Sequence, residues 1–192
     1  MPSRYLRLAG TRAPARVASW DTIQGVETTA PLAIPLNDAL AIIALPKTIV
    51  GDMVWQQESI DSELFTASFY LFDRSGATIP ALSVELMYRR GAIKGECKAT
   101  FTVFKFMPPK LRAYQLEVIP DEKIGHREKD GTPFKGPHRH IGDKVAQVPS
   151  MGYRCDDHEK WFAFFLEDAQ IVHDGKWQPP HPPDAQYELE GI

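Results

Sequence analysis

Through the middle of the chain apolar and polar residues alternate with a period of two, the signature of half-buried strands. Leu82, Val84, Leu86 and Tyr88 are apolar, with Ser83, Glu85 and Met87 between them. Upstream, the aromatic-rich run 65–72 ends in the turn residues Asp73, Arg74, Ser75 and Gly76. Downstream, residues 97–107 offer Phe101, Val103, Phe104 and Phe106 to a core, and Pro108-Pro109 stops the run. Tyr114, Leu116 and Val118 then alternate with Gln115 and Glu117. Short turns between successive strands predict an antiparallel β-meander of five to seven strands in a curled sheet.

The period changes on either side. Residues 37–45 predict a short N-terminal helix, capped by Asn37 or Asp38 and ended by Pro46. A strand is expected at 48–55. Near the C-terminus Trp161, Phe162, Phe165, Ala169 and Val172 form an apolar stripe at helical spacing behind Asp156-Asp157. That predicts a helix over 158–172 that covers the sheet, giving an α+β fold. A short strand is expected at 145–148. The first 30 residues are mixed, with one alternating stretch at 4–8 that reads as an edge strand. Residues 173–192 carry Pro179, Pro180, Pro182 and Pro183, with Trp177 and Tyr187 as anchors, and read as an extended tail. The expected organisation is one domain over 1–172, with an N-terminal extension 1–57 and a core 58–172.

Composition narrows the classes. A chain of 192 residues can bury a core without staples. A net charge of −3 provides no global field toward nucleic acid or anionic lipid. No apolar run approaches the roughly 20 residues of a membrane span, and the opening residues do not read as a signal peptide. A cytoplasmic location without membrane contact is expected. Cys97 and Cys155 lack metal or redox spacing and read as two buried free thiols. Carboxylates beside Cys155 would raise its pKa rather than activate it. Phosphate-loop and nucleophile-elbow patterns do not occur.

Candidate chemistry concentrates at Gly136-Pro137-His138-Arg139-His140. In extended backbone His138 and His140 project from one face, close enough to share a ligand. Gly136 and Pro137 would hold the loop that presents them. Two jobs stay open for the pair. They can act as general acid and base, since an imidazole titrates near neutrality. Alternatively they bind a divalent metal such as zinc, manganese or nickel, with Asp143, Glu117 or His126 as further ligands. Asp143 is counted with the catalytic set, and Arg139 and Lys144 would contact phosphate. Against this stand blander readings: a polar surface turn for the His pair, a solvated or ion-paired Glu117, and an exposed His126.

The order of residues 114–120, Asp130-Gly131, Gly136-Pro137-His138-Arg139-His140, Asp143-Lys144-Val145-Ala146 and the Phe-rich segment 161–171 resembles uncharacterised prophage and mobile-element proteins. These in turn are distantly similar to TumE-type toxins. The resemblance spans roughly residues 60–172 and implies toxin–antitoxin or phage-conflict biology. It implies a nuclease acting on RNA, with RNA and a cognate antitoxin or host protein as partners. The positions carried over are Gly136, Pro137, His138, His140 and Asp143. The first 57 residues have no counterpart in the pattern. One rival is a non-catalytic binding protein that inhibits or partners a host complex. A second is a cupin-like metal-binding barrel, though no Glu follows His140 at the spacing such a barrel uses.

Overall fold

The computed structural model describes residues 32–59, 63–91, 96–127 and 131–180, all inside one compact unit, 31–192. The chain forms helix α1 (Leu36–Ala44) and strands β1 (Lys47–Val50), β2 (Gln56–Gln57), β3 (Leu64–Phe72), β4 (Thr78–Arg90), β5 (Cys97–Phe106) and β6 (Lys110–Val118). It continues through β7 (Ile124–Arg127), β8 (Pro133–Lys135), β9 (His138–Ile141), β10 (Lys144–Gln147), helix α2 (His158–Asp168) and β11 (Ile171–Asp174). The fold is α+β: two helices and an open nine-stranded sheet in the order β10-β9-β6-β5-β4-β3-β1-β11, with β2 on β3. The hairpin β7–β8 is a separate two-stranded sheet.

Strands β3 to β6 are sequential antiparallel neighbours. Local chemistry sets the first turn, where Asp73 Oδ1 accepts from the Ser75 amide, the Ser75 hydroxyl and the Ala77 amide. Alternation then sorts the side chains. Val84, Leu86, Phe101, Val103, Tyr114, Leu116 and Val118 are buried. Helix α2 packs on this face: Phe165 lies 5.6 Å from Phe101 and 5.8 Å from Tyr114, ring centre to ring centre. Burial of each such aromatic contributes about 2 to 3 kcal/mol.

Several expectations are corrected. The sheet is mixed rather than purely antiparallel, because β11 joins β1 in parallel, Lys47 opposite Ile171, and it is open. An open sheet also removes the cupin-like barrel. The helix expected over 158–172 ends at Asp168; Gln170 takes a positive φ of 52° and Val172 continues in a strand. An amphipathic stripe cannot reveal that Ile171 has a strand partner 124 residues earlier in the chain. The boundary at residue 57 does not divide the fold, since β1 sits between β3 and β11. Residues 173 and 174 likewise belong to β11 rather than to a tail. Phe104 and Phe106 are not in the core, because alternation along β5 sets them on the face opposite Phe101 and Val103. Phe104 lies under Lys110 Nζ at 4.1 Å and Phe106 is exposed.

Neither α1 nor α2 has a side-chain cap at its first turn. The C-terminal end of α1 is closed by buried Lys47, whose Nζ donates to the carbonyls of Ile42, Ile43 and Leu45. Burial lowers its pKa to about 8. Cys97 and Cys155 are not free thiols but a disulfide, with Cα atoms 5.9 Å apart. It ties the start of β5 to the segment before α2, a proximity that 58 residues of separation conceal. No helix among the described residues is long and apolar enough to cross a membrane. The strand expected at 4–8 and the tail beyond Pro180, including Tyr187, lie outside the described residues.

Candidate metal centre

The register of β6 and β9 places Glu117 opposite His138 and Gln115 opposite His140. On the other flank Thr100 opposes Glu117 and Thr102 opposes Gln115. Period two directs all six side chains to one face, while Tyr114, Leu116 and Arg139 point to the face that α2 covers. Sheet faces without an apolar cover are usually wet. This strip is not, for Thr100, Thr102, Gln115, Glu117, His138 and His140 are all buried.

The β7–β8 hairpin lies against the histidine end of the strip. Phe134 lies 6.2 Å from the His138 ring and His126 lies 5.5 Å from the His140 ring. Gly125 lies so near the strip that a Cβ there would come within 2.5 Å of His138 Cε1 and 3.2 Å of Glu117 Oε1. Only glycine permits that approach.

Inside the strip some polar groups are partnered and others are not. Gln115 donates to Thr102 Oγ1 at 3.1 Å and accepts from Arg112 Nη1 at 3.1 Å. Glu117 pairs with Lys98 at 3.1 Å. The His138 ring donates from Nδ1 to the Gly136 carbonyl at 3.1 Å. That tautomer leaves Nε2 with a lone pair aimed inward, the usual orientation of a metal-ligating imidazole. Gly136 reaches this position with φ 68°, which suits glycine.

His138 Nε2 and His140 Nδ1 are both buried without a hydrogen-bond partner. Each such atom costs about 1 to 3 kcal/mol when nothing replaces its water. Their rings are 5.2 Å apart, and one ligand atom from each of Glu117, His138 and His140 lies within 4.8 Å of the others. Burial, the Arg112 guanidinium, and then His138, His126 and Lys98 lower the His140 pKa to about 3. His140 is therefore a neutral base at physiological pH, as metal ligation requires.

The structure divides the residues singled out from sequence. It brings together His138, His140 and Glu117, with Gly136 as the acceptor that orients His138 and Pro137 beside it. Glu117 is ion-paired as expected, yet buried rather than solvated. His126 is half-buried against His140 rather than exposed. Arg139 does not join the group. It alternates to the opposite face and pairs with Asp168, which also accepts from the Tyr114 hydroxyl at 2.6 Å. Asp143 and Lys144 pair with each other at 3.6 Å on the exposed β9–β10 turn. Neither is near the imidazoles' face, because the turn carries them past the end of the strand. Arg139 is thus taken up by Asp168 on the α2 side, and Asp143 and Lys144 by each other.

Lys98, Arg112, Gln115 and Gly125 belong to the site's surroundings, and sequence reading passed over them. The signal available was the polar alternation Thr100-x-Thr102 and Gln115-x-Glu117 on two strands that are otherwise apolar. A cavity of about 310 Å³ opens beside Glu117, edged by Arg89, Arg90, Lys98, Lys123 and Gly125. Comparisons of the chain with models of protein families, with curated proteins and with solved structures find no match.

Proposed function

We propose that this protein is a metal-dependent hydrolase of RNA phosphodiesters, toxin-like in kind, with a divalent ion held by Glu117, His138 and His140. One observation carries the reading: two buried imidazoles with unpartnered nitrogens converge on a buried carboxylate. Two nitrogens and one oxygen are a donor set that catalytic zinc uses, with the fourth position left for water. Manganese and nickel also accept these ligands. A bound ion supplies a nucleophilic hydroxide near neutral pH.

The metal-free alternative, with the two histidines as general acid and base, is the weaker branch. It needs an imidazole that protonates near neutrality and touches substrate. His138 is 0% and His140 5% exposed, and His140 resists protonation down to a pH of about 3. The cavity beside Glu117 is edged by Arg89, Arg90, Lys98 and Lys123, of which the last three are paired with Glu63, Glu117 and Glu96. RNA as the substrate, and a cognate antitoxin or host protein as partner, rest on the resemblance of residues 60–172 to TumE-type proteins.

A second reading has its own support. Glu117 is only 9% exposed, and so enclosed a centre suits a structural ion in a non-catalytic binding protein. Elemental mass spectrometry of the purified protein beside a His138→Ala/His140→Ala variant tests the metal. Stoichiometric zinc, manganese or nickel that disappears in the variant supports the centre; equal metal content in both refutes it. RNA degradation by the same pair then separates the readings, since equal inactivity of a metal-loaded wild type leaves only the binding role.

A toxin of this kind works in the cytoplasm. The Cys97–Cys155 crosslink bears against that location, because cytosolic thiols are held reduced. Alkylation of free thiols in intact cells, read by mass, distinguishes the two: labelled Cys97 and Cys155 support a cytoplasmic site.

A further inference from the structure

Resting on that metal centre, we infer that the β7–β8 hairpin is a latch whose His126 becomes a further ligand when a divalent ion binds. Tetrahedral zinc with metal–nitrogen bonds of about 2 Å sets the ring centres of two ligating imidazoles roughly 5 Å apart. His138 and His140 already meet this, at 5.2 Å. His126 is 5.5 Å from His140, edge to face, and 6.3 Å from His138. Its ring therefore stands about 0.5 Å outside the required separation from His140 and about 1.3 Å outside that from His138.

The hairpin is built to make that movement. Its two strands pair with each other and not with the main sheet. Backbone hydrogen bonds at its base run from the Lys123 amide to the Pro120 carbonyl and from the Gly136 amide to the Lys123 carbonyl. A register shift between Ile124 and His126 turns the His126 side chain inward, while Ile124 stays exposed. Gly125, without a Cβ, lets the backbone lie against His138 and Glu117. A side chain there would hold the hairpin off the strip and His126 out of reach.

Ligation by His126 gives the centre three imidazoles and a carboxylate, and it couples ion binding to closure of a hairpin that lies against His138. Access to the ion would then be from the Glu117 side, where the cavity lies. An ion held by residues from β6, β9 and the hairpin joins two sheets that share no ladder.

Zinc affinity of the full chain, by competition with a chromophoric chelator, tests this with hydrogen exchange over 124–127 and 133–135. The variants are His126→Ala, Ile124→Ala and His138→Ala. His126→Ala is expected to weaken zinc binding about tenfold or more. Ile124→Ala, on the same hairpin, leaves affinity unchanged, and His138→Ala loses binding. Zinc slows hairpin exchange in the wild type and in Ile124→Ala, but not in His126→Ala. If His126→Ala binds zinc and gains protection as the wild type does, the latch is overturned and the centre stands. If Ile124→Ala loses affinity as much as His126→Ala, packing rather than ligation is responsible, and the latch is again overturned. Absence of zinc binding by the wild type overturns both.

Discussion

With a chelator present to keep metal away, lowering the pH from 7.5 to 5.0 should destabilise this protein, and His140 should account for much of the loss. The perturbation is protonation of an imidazole that the fold keeps neutral. Burial comes first among the causes, followed by Arg112, His138, His126 and Lys98. The folded pKa is about 3 against 6.5 for the free side chain. Between those values the unfolded chain holds a proton that the folded chain does not. Stability is therefore unaffected by this group above about pH 6.5 and declines steadily as pH falls toward 3. At 1.36 kcal/mol per unit, pH 5 lies 1.5 units into that window, a loss of about 2 kcal/mol. A domain of this size has a urea m-value of about 2 kcal/mol/M, so the midpoint should move by about 1 M. The assay is urea unfolding of wild type and His140→Gln at both pH values, compared by slope. The variant is destabilised at every pH by its own buried amide, which is why only the pH dependence counts. Equal loss in both proteins would show that His140 is not held neutral by its surroundings, and would remove the support it lends to a metal centre.

Further outcomes are expected. Replacing both cysteines by alanine should remove about 4 kcal/mol, the chain-entropy value for a closed loop of 58 residues. Urea unfolding with and without reductant checks it, and a wild type insensitive to reductant counts against the crosslink. Asp168→Ala should cost about 1 to 3 kcal/mol, because it strands the Tyr114 hydroxyl and Arg139. Zinc affinity should not change, since Asp168 lies on the α2 side of the sheet; a loss would contradict the two-face assignment. Phe165→Ala removes a fully buried ring stacked on Phe101 and should cost about 3 to 5 kcal/mol by thermal or urea unfolding.

Alternation along a strand depends only on backbone geometry, so the faces of each strand follow from residue order. Leu82, Val84, Leu86 and Tyr88 on β4, and Tyr114, Leu116 and Val118 on β6, were readable on that ground and are buried. By the same rule His138 and His140 point together and Arg139 points away, whatever surrounds them. What alternation cannot supply is the neighbour. That Glu117 stands opposite His138 depends on the register of β6 and β9, strands separated by a hairpin that belongs to neither. The parallel pairing of β1 with β11, the crosslink of Cys97 to Cys155 and the turn of Arg139 into Asp168 are likewise contacts between residues far apart in the chain. Burial of the polar strip was hidden for the same reason. Glu117 looks solvated in sequence because nothing local announces that β7–β8 folds over it. Local chemistry set the strands and their faces; long-range packing alone brought an acid and its imidazoles out of water and into one place.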